Sequence, residues 1–600
     1  MVQPKRKSDE ADRTPIRPFI DHSLALQLSA GLADDNRLAF ARGFSAEIAI
    51  AYGRDFSDAR SQPMPQFPHR FDKVQLPAEA RSAARQIATG MGSLSPAEVA
   101  AAVGALYASL LPAPFRAQHG IFYTPPALAE CLLVMTEEAG IDWRTARVLD
   151  PACGGGAFLI AVATRMADAM AGSEPAIVLQ SIGARLRGFD IDPFGSWLAQ
   201  IMLGIALQAR LGAGGRGIAE LVDTRDSLDL RPEEAGRFDL VVGNPLYGRV
   251  TLSQLRRRRF ARGVYGHANL YGVFTQAALH WAKQDGVIGY VTPTSMLSGL
   301  YCKALRALLS AEAPPLAVHF VTERAGVFAD VLQETMLATY RKGGLPVPGK
   351  VGFIDAAGEN RARSRKAGSF ALPAAPHSPW LLPRSATQAA LARRLRSMTH
   401  RLADYGYGVS TGPLVWNRHK DQFRTAPAAD TIPVIWAESV AGAGRFLWRS
   451  ERRNHAPWFA AQRPKDDWLV VTRPCVLVQR TTAKEQPRRL IPAVLPESFI
   501  AEHSGVAIEN HLNMVRAIAP NARVPVAVIA ALLGSKAVDA AFRCLNGSVA
   551  VSAFELEELP LPSPEVIARL ARLIAARAPA AKIEAAISTA YRRSDAAASA

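Results

Sequence analysis

The residues best placed to do chemistry are Asn244, Pro245 and Tyr247, which follow the apolar run Phe238-Asp-Leu-Val-Val-Gly243. That run reads as a buried strand, and its end would present an amide, a main-chain carbonyl and an aromatic ring together. An exocyclic amino group on a purine or pyrimidine is a poor nucleophile because its lone pair is delocalised into the ring. Two acceptors at its hydrogens, the Asn244 side-chain oxygen and the Pro245 carbonyl, would favour a localised lone pair as charge develops, while Tyr247 stacks on the base. The locked φ of proline helps to aim that carbonyl. Taken alone, the segment is equally an Asn-Pro turn at a strand end.

Two more strand ends bear on the same chemistry. Val148-Leu-Asp-Pro-Ala-Cys-Gly-Gly-Gly-Ala-Phe158 reads as a strand, a glycine turn and a helix, in which the backbone can approach a ligand beside exposed helical N–H groups. Gly188-Phe-Asp-Ile-Asp-Pro193 places Asp190 where a doubly wound fold binds ribose hydroxyls, outside the carboxyl ends of the strands. An adenosine-containing cofactor fits both. Asp150 and Asp190 are 40 residues apart, against roughly 20 in a dinucleotide fingerprint, and the glycines do not follow G-x-G-x-x-G. This spacing argues against a nicotinamide dinucleotide.

The elements that must position these groups alternate. Strand candidates Arg147–Asp150, Leu186–Asp190, Leu240–Gly243 and Val287–Thr292 are followed by helix candidates Ala157–Met170, Phe194–Leu211, Leu270–Lys283 and Ser295–Leu309. Two further strand candidates are Ala317–Thr322 and Thr335–Tyr340. Such alternation predicts an α/β domain with a mixed, mostly parallel sheet covered on both faces. Residues 1–18 read as a disordered tail and 19–118 as a helical N-terminal region, where Ser95-Pro-Ala-Glu98 forms a capping-box signature. The catalytic domain is expected over 119–345, a linker over 346–400, an α+β recognition domain over 401–565, and a helix with a tail over 566–600.

Together these segments resemble the gamma-class, TaqI-like N6-adenine DNA methyltransferases of restriction-modification systems, over roughly Gly120 to Tyr340 and in that group's motif order. The resemblance implies a Rossmann-like class I fold, S-adenosylmethionine as methyl donor, and a flipped-out adenine as acceptor. It gives catalytic roles to Asn244, Pro245 and Tyr247. Gly120-Ile-Phe-Tyr-Thr-Pro-Pro126 is similar to the motif before the glycine loop, implying that Tyr123, Thr124 and Pro125 hold the methionine part of the cofactor. By the same resemblance Asp150, Ala152, Gly154 and Gly156 belong to the cofactor loop, Asp190 binds the ribose and Asp226 binds the adenine amino group. Asn269-Leu-Tyr271 and the run 286–293 are similar to motifs lining the target pocket, and the run 326–334 to sequences closing the catalytic domain. The family usually carries a second proline where this chain has Leu246, which bears on the rigidity of the loop.

Seventy Lys and Arg against 53 Asp and Glu leave a formal charge of +17, which suits a polyanionic partner because each neutralised phosphate releases counterions. Arg256, Arg257, Arg258, Arg259 and Arg262 begin nine residues beyond Tyr247 and are expected on DNA phosphates. In the C-terminal half Trp416, Arg418, Lys420, Arg480, Lys484, Asn510 and His511 are of the types that read base edges or grip phosphates. The reading is a monomeric clamp on double-stranded DNA, working beside a separately encoded restriction endonuclease. No Pro-Asp with a following Glu-x-Lys occurs in the first 118 residues, so modification without cleavage is expected.

The longest apolar stretch, around Val524 to Gly534, is far short of the roughly 20 residues of a bilayer span. The five cysteines form no Cys-x-x-Cys pair, so a cytoplasmic protein without a structural metal is expected. Three other functions stay open. N4-cytosine methylation uses the same pocket chemistry. A catalytically weak DNA-binding relative would keep the fold. Glutamine-N5 methylation of a protein poses the same amide problem, but the long basic segment after Lys342 argues against it.

Overall fold

The computed structural model describes residues 22–58, 75–112, 115–116, 124–212, 218–321, 334–356, 362–482, 486–518, 524–545 and 550–592. The expected tail, Tyr123, Lys484 and all of the run 326–334 except Glu334 lie outside the described residues.

Nine described strands make one sheet: β1 (Val148–Asp150), β2 (Leu186–Asp190), β3 (Val222–Thr224), β4 (Phe238–Gly243), β7 (Ala282–Pro293), β8 (Pro315–Val321), β9 (Thr335–Arg341), β10 (Gly349–Ala356) and β11 (Ala362–Phe370). A short antiparallel pair, β5 (Arg249–Val250) and β6 (Ala268–Asn269), stands apart from it. The sheet order is β11-β10-β8-β9-β7-β4-β1-β2-β3. From β3 across to β7 the strands pair in parallel; β9 runs antiparallel to both β7 and β8. Chain order therefore reverses between β1 and β4, and a reversal opens a crevice outside the carboxyl ends of those two strands, the place where open α/β sheets bind ligands.

Alternation along the strands sends side chains to two cores. Leu240 and Val242 face one core while Val241 faces the other. The first core packs the N-terminal helices α2 (Asp34–Asp58), α3 (Ala78–Gly90) and α4 (Pro96–Leu110), which follow the short α1 (Ser23–Leu28), against the sheet. It also holds α5 (Pro126–Glu138), α6 (Ala157–Ala169), α7 (Pro175–Arg185) and α8 (Pro193–Leu211). The helical N-terminal region thus shares the catalytic domain's core. Its α4 starts at the anticipated capping box, with Ser95 Oγ accepting from Glu98 N at 3.3 Å and Ser95 N donating to Glu98 Oε2 at 2.7 Å. The second core packs α10 (Leu270–Trp281) and α11 (Lys303–Glu312) on the other face, after the short α9 (Gln254–Arg259).

Two expectations are corrected. The helix expected over Ser295–Leu309 is two 3₁₀ turns, Thr294–Met296 and Leu300–Cys302, with α11 following. The buried Arg306 guanidinium gathers those turns by donating to the Met296 and Gly299 carbonyls at 3.1 and 2.8 Å. The boundary placed after residue 345 also falls inside the sheet. β10 pairs parallel with β8, and β11 antiparallel with β10, so residues 349–370 belong to the catalytic sheet rather than to a linker.

Beyond residue 370 the chain forms an α+β unit. Tyr407–Thr411, Leu512–Ala517, Cys475–Gln479 and Pro492–Leu495 make an antiparallel sheet, beside a second sheet of shorter strands. The unit is hydrogen-bonded to the catalytic domain. Trp380 N donates to Leu297 O at 2.8 Å, Leu382 N to Cys544 O at 3.1 Å, and Ser298 Oγ to Glu555 Oε1 at 2.6 Å. Among the described residues no helix is long and apolar enough to cross a membrane, and no group of three or more His, Cys, Asp and Glu is placed to hold a metal ion.

Candidate functional site

The turn after β4 sits at the sheet's reversal point. A Cβ on Gly243 would fall 2.7 Å from Asp150 Oδ1, so a glycine is needed for β4 to end this close to β1. Asn244, next along, is half-buried, and its Nδ2 donates to Thr124 Oγ1 at 3.1 Å. Its Oδ1 has no partner among the described residues. Pro245 is buried, and Tyr247 meets Tyr271 edge-on, with ring centroids 6.3 Å apart at 87°. The buried Tyr247 hydroxyl has no hydrogen-bond partner, and desolvation pushes its pKa up. Leu246, where the family has proline, packs on the second core and so fastens the turn by burial.

The loop after β1 is held by main-chain bonds to β2. Cys153 N donates to Phe189 O at 3.0 Å, and Gly154 N to Asp190 Oδ2 at 2.8 Å. Gly156 has φ +88°, and a Cβ there would lie 3.0 Å from Ala199 Cα, so the loop can enter α6 against α8 only with glycine at this position. Asp150 is fully buried. Its Oδ1 accepts from Ala152 N at 3.1 Å while its Oδ2 is buried without a partner. Desolvation, with repulsion from Asp190, raises the Asp150 carboxyl to about 8. Asp190 also accepts from Asp192 N at 2.8 Å, and desolvation raises it to about 6. Tyr290, paired with Gly243 across β7, adds a second buried polar atom without a partner, its hydroxyl.

These groups fit S-adenosylmethionine. An orphaned acid oxygen and an acceptor carboxylate at neighbouring strand ends suit a cationic ligand that also carries hydroxyls, and the glycine backbone leaves room for close approach. Ala152 lies in the same loop, and Pro125 is the N-cap residue of α5, next to Thr124.

Asp192 was not singled out from sequence. Its buried carboxylate accepts from the Tyr107 hydroxyl at 2.9 Å and from Arg42 Nη2 at 3.0 Å, and its Oδ1 also takes Phe194 N at 3.3 Å, capping α8. Helices α2 and α4 thereby grip the turn that carries Asp190. Only the partner residues, 85 and 150 positions away, distinguish this from an ordinary helix cap.

Asp226 is engaged differently from what the resemblance implies. Its Oδ1 accepts from Leu228 N at 2.9 Å, and its Oδ2 lies 2.7 Å from Arg256 Nη2, which is equally close to Asp229. Arg256, expected on phosphate, is therefore folded back onto two carboxylates. Arg257 donates to Gly266 O at 3.0 Å, and Arg262 pairs with Glu312. Arg258 and Arg259 are exposed and have no side-chain partner among the described residues. Two of the five arginines thus remain available to an outside anion.

The C-terminal candidates come together. Arg480 N donates to His511 O at 2.9 Å, and Arg480 Nη1 to Asn510 O at 3.1 Å. Asn510 N donates to Leu414 O at 3.0 Å, which brings the segment bearing Trp416, Arg418 and Lys420 alongside. Lys420 Nζ lies 5.4 Å from the Trp416 ring centroid, and His511 Nδ1 sits 2.8 Å from the buried Glu509. Trp416, Arg418, Lys420 and His511 are exposed.

Residues 215–328 match the family model described as Eco57I restriction-modification methylase. The chain is 24% identical over 355 residues to the Type II methyltransferase M.BsuBI of Bacillus subtilis, covering 58% of this chain and 70% of that relative. It is 23% identical over 348 residues to the Type II methyltransferase M.PstI of Providencia stuartii, covering 56% of this chain and 68% of that relative. The solved structure of the Type IIL restriction-modification enzyme MmeI in complex with DNA superposes with a TM-score of 0.58 over 97% of each chain at 12% identity, a likeness of fold. With the sheet order and the strand-end sites, these matches make the chain a relative of the Type II restriction-modification methyltransferases, with a Rossmann-like class I fold and S-adenosylmethionine as methyl donor.

Proposed function

We propose that this protein methylates N6 of an adenine in double-stranded DNA, rotated out of the helix, as the modification component of a restriction-modification system. One observation carries the reading: Asn244 stands at the reversal point of the sheet with its amide nitrogen engaged by Thr124 and its oxygen left as an acceptor. Bound S-adenosylmethionine supplies an electrophilic methyl group on sulfur. Asn244 Oδ1 and Pro245 O accept the two N6 hydrogens and localise the nitrogen lone pair, and Tyr247 stacks on the base face. Asp190 and Asp226 offer acceptors to the cofactor's ribose and adenine, and the glycine loop gives it backbone N–H groups.

Rotation of the base is required by access, since N6 inside a duplex is paired and stacked. Arg258 and Arg259 on one side, and Trp416, Arg418, Lys420 and His511 on the other, offer phosphate and base contacts that would hold the duplex. An asparagine rather than a serine at position 244 favours adenine over cytosine. Transfer of tritiated methyl groups from S-adenosylmethionine to unmodified genomic DNA tests the reading. The wild type should label DNA at N6 of adenine and Asn244→Ala should not; label on cytosine, or on no nucleic acid, would overturn it.

A further inference from the structure

From the Thr124–Asn244 contact we infer that Thr124 is a positioning residue for methyl transfer, acting through Asn244. The inference rests on the catalytic role proposed for Asn244. The resemblance to known sequences assigns Thr124 to the cofactor's methionine part, yet its hydroxyl lies 3.1 Å from Asn244 Nδ2, on a residue 120 positions later in the chain. Thr124 is itself buried.

Three physical consequences follow from that contact. A carboxamide presents an oxygen and a nitrogen of nearly the same shape, so its catalytic orientation needs a partner that rewards the nitrogen's hydrogens. The Thr124 hydroxyl accepts one of them, which turns Oδ1 outward to where an exocyclic amine would donate. Donation from Nδ2 also draws electron density toward Oδ1, making it a better acceptor as positive charge builds on the attacking nitrogen. Finally, Thr124 is held firmly enough to serve as a stop. It is β-branched, which limits its χ1, and Pro125 and Pro126 fix the chain behind it at the start of α5.

A positioning role and a cofactor-binding role predict different kinetics. Thr124→Val keeps the shape and removes the hydroxyl, and Thr124→Ser keeps the hydroxyl. Each is compared with the wild type in two measurements: the single-turnover rate of methyl transfer to unmodified genomic DNA, and the Kd for S-adenosylhomocysteine. We expect Thr124→Val to slow transfer on the order of 10- to 100-fold, the scale of a small misplacement of a reacting group, with the Kd unchanged within about twofold. Thr124→Ser should recover most of the rate. A Thr124→Val protein that transfers at the wild-type rate, or one that loses cofactor affinity while keeping its rate at saturating cofactor, overturns the inference. A Thr124→Ser rate as low as that of Thr124→Val overturns it too. A wild type that binds S-adenosylhomocysteine but labels no DNA overturns instead the function proposed above, and this inference with it.

Discussion

Tyr107, in the fourth helix of the N-terminal region, donates its hydroxyl to Asp192 at 2.9 Å, two residues past the carboxylate that ends β2. The helices before the catalytic domain therefore hold the turn on which Asp190 is mounted. A hydrogen bond to a charged acceptor in a buried place is worth about 1.5 to 3 kcal/mol. Tyr107→Phe should weaken S-adenosylhomocysteine binding by roughly tenfold, read by titration calorimetry, while circular dichroism stays unchanged. An unaltered Kd would reduce these helices to a packing layer.

Asp150 and Asp190 give a pH dependence with a definite sign. Both folded-state values, about 8 and about 6, lie above the ordinary 3.8. The folded protein thus binds protons that the unfolded chain has released, and this contribution to stability is complete below the ordinary value and lost as pH rises through 6 and then 8. The urea midpoint of the cofactor-free protein should fall between pH 5 and 9, and Asp150→Asn should flatten most of that fall. A wild type and variant with parallel profiles would contradict the burial of an unpaired carboxyl at this strand end.

The arginine run should divide by its contacts. Arg258→Gln and Arg259→Gln should each lower the slope of log affinity for duplex DNA against log salt by about 1, as expected for a lost phosphate contact. Arg256→Gln should leave that slope alone and instead change cofactor affinity, because it strips a cation from Asp226. Fluorescence anisotropy at several salt concentrations separates the cases, and an equal loss of slope from all three variants would mean that Arg256 leaves its carboxylates to meet DNA.

Leu246 anchors the catalytic turn through its side chain. Leu246→Ala should reduce the rate of methyl transfer about tenfold, since a loosened turn misplaces the Pro245 carbonyl, and should leave cofactor affinity intact. Leu246→Pro, which stiffens the same turn by its ring, should stay within about threefold of the wild type. A Leu246→Ala protein as fast as the wild type would show that burial of this side chain does not set the turn.

Much of the catalytic sheet could be read from the chain because its central strands are short apolar runs that end in glycine, aspartate or asparagine. Leu186–Asp190 was anticipated to the residue. β11 was not, because Ala362–Phe370 is an edge strand whose Arg and Lys side chains stand in solvent on both faces, which erases the alternation. β10 went with it, since the glycines and prolines before it signal a linker as strongly as a strand entry. The residues of the site were legible where a motif is local, as in Asp150-Pro-Ala-Cys-Gly or Asn244-Pro-Leu-Tyr. Their partners were not. The Asp192–Tyr107 and Arg256–Asp226 contacts join residues 85 and 30 positions apart, and no periodicity records which distant groups a fold will bring together.

The Ser298–Glu555 bond ties a turn of the catalytic domain to the far end of the C-terminal unit, and Leu382 crosses to Cys544 nearby. Anyone wishing to retarget this protein by exchanging one half for that of a relative inherits those attachments. A splice placed in the apparently featureless stretch near residue 360 would cut through a sheet edge, whereas one placed after Phe370 keeps the sheet whole and need only restore an acceptor for Ser298.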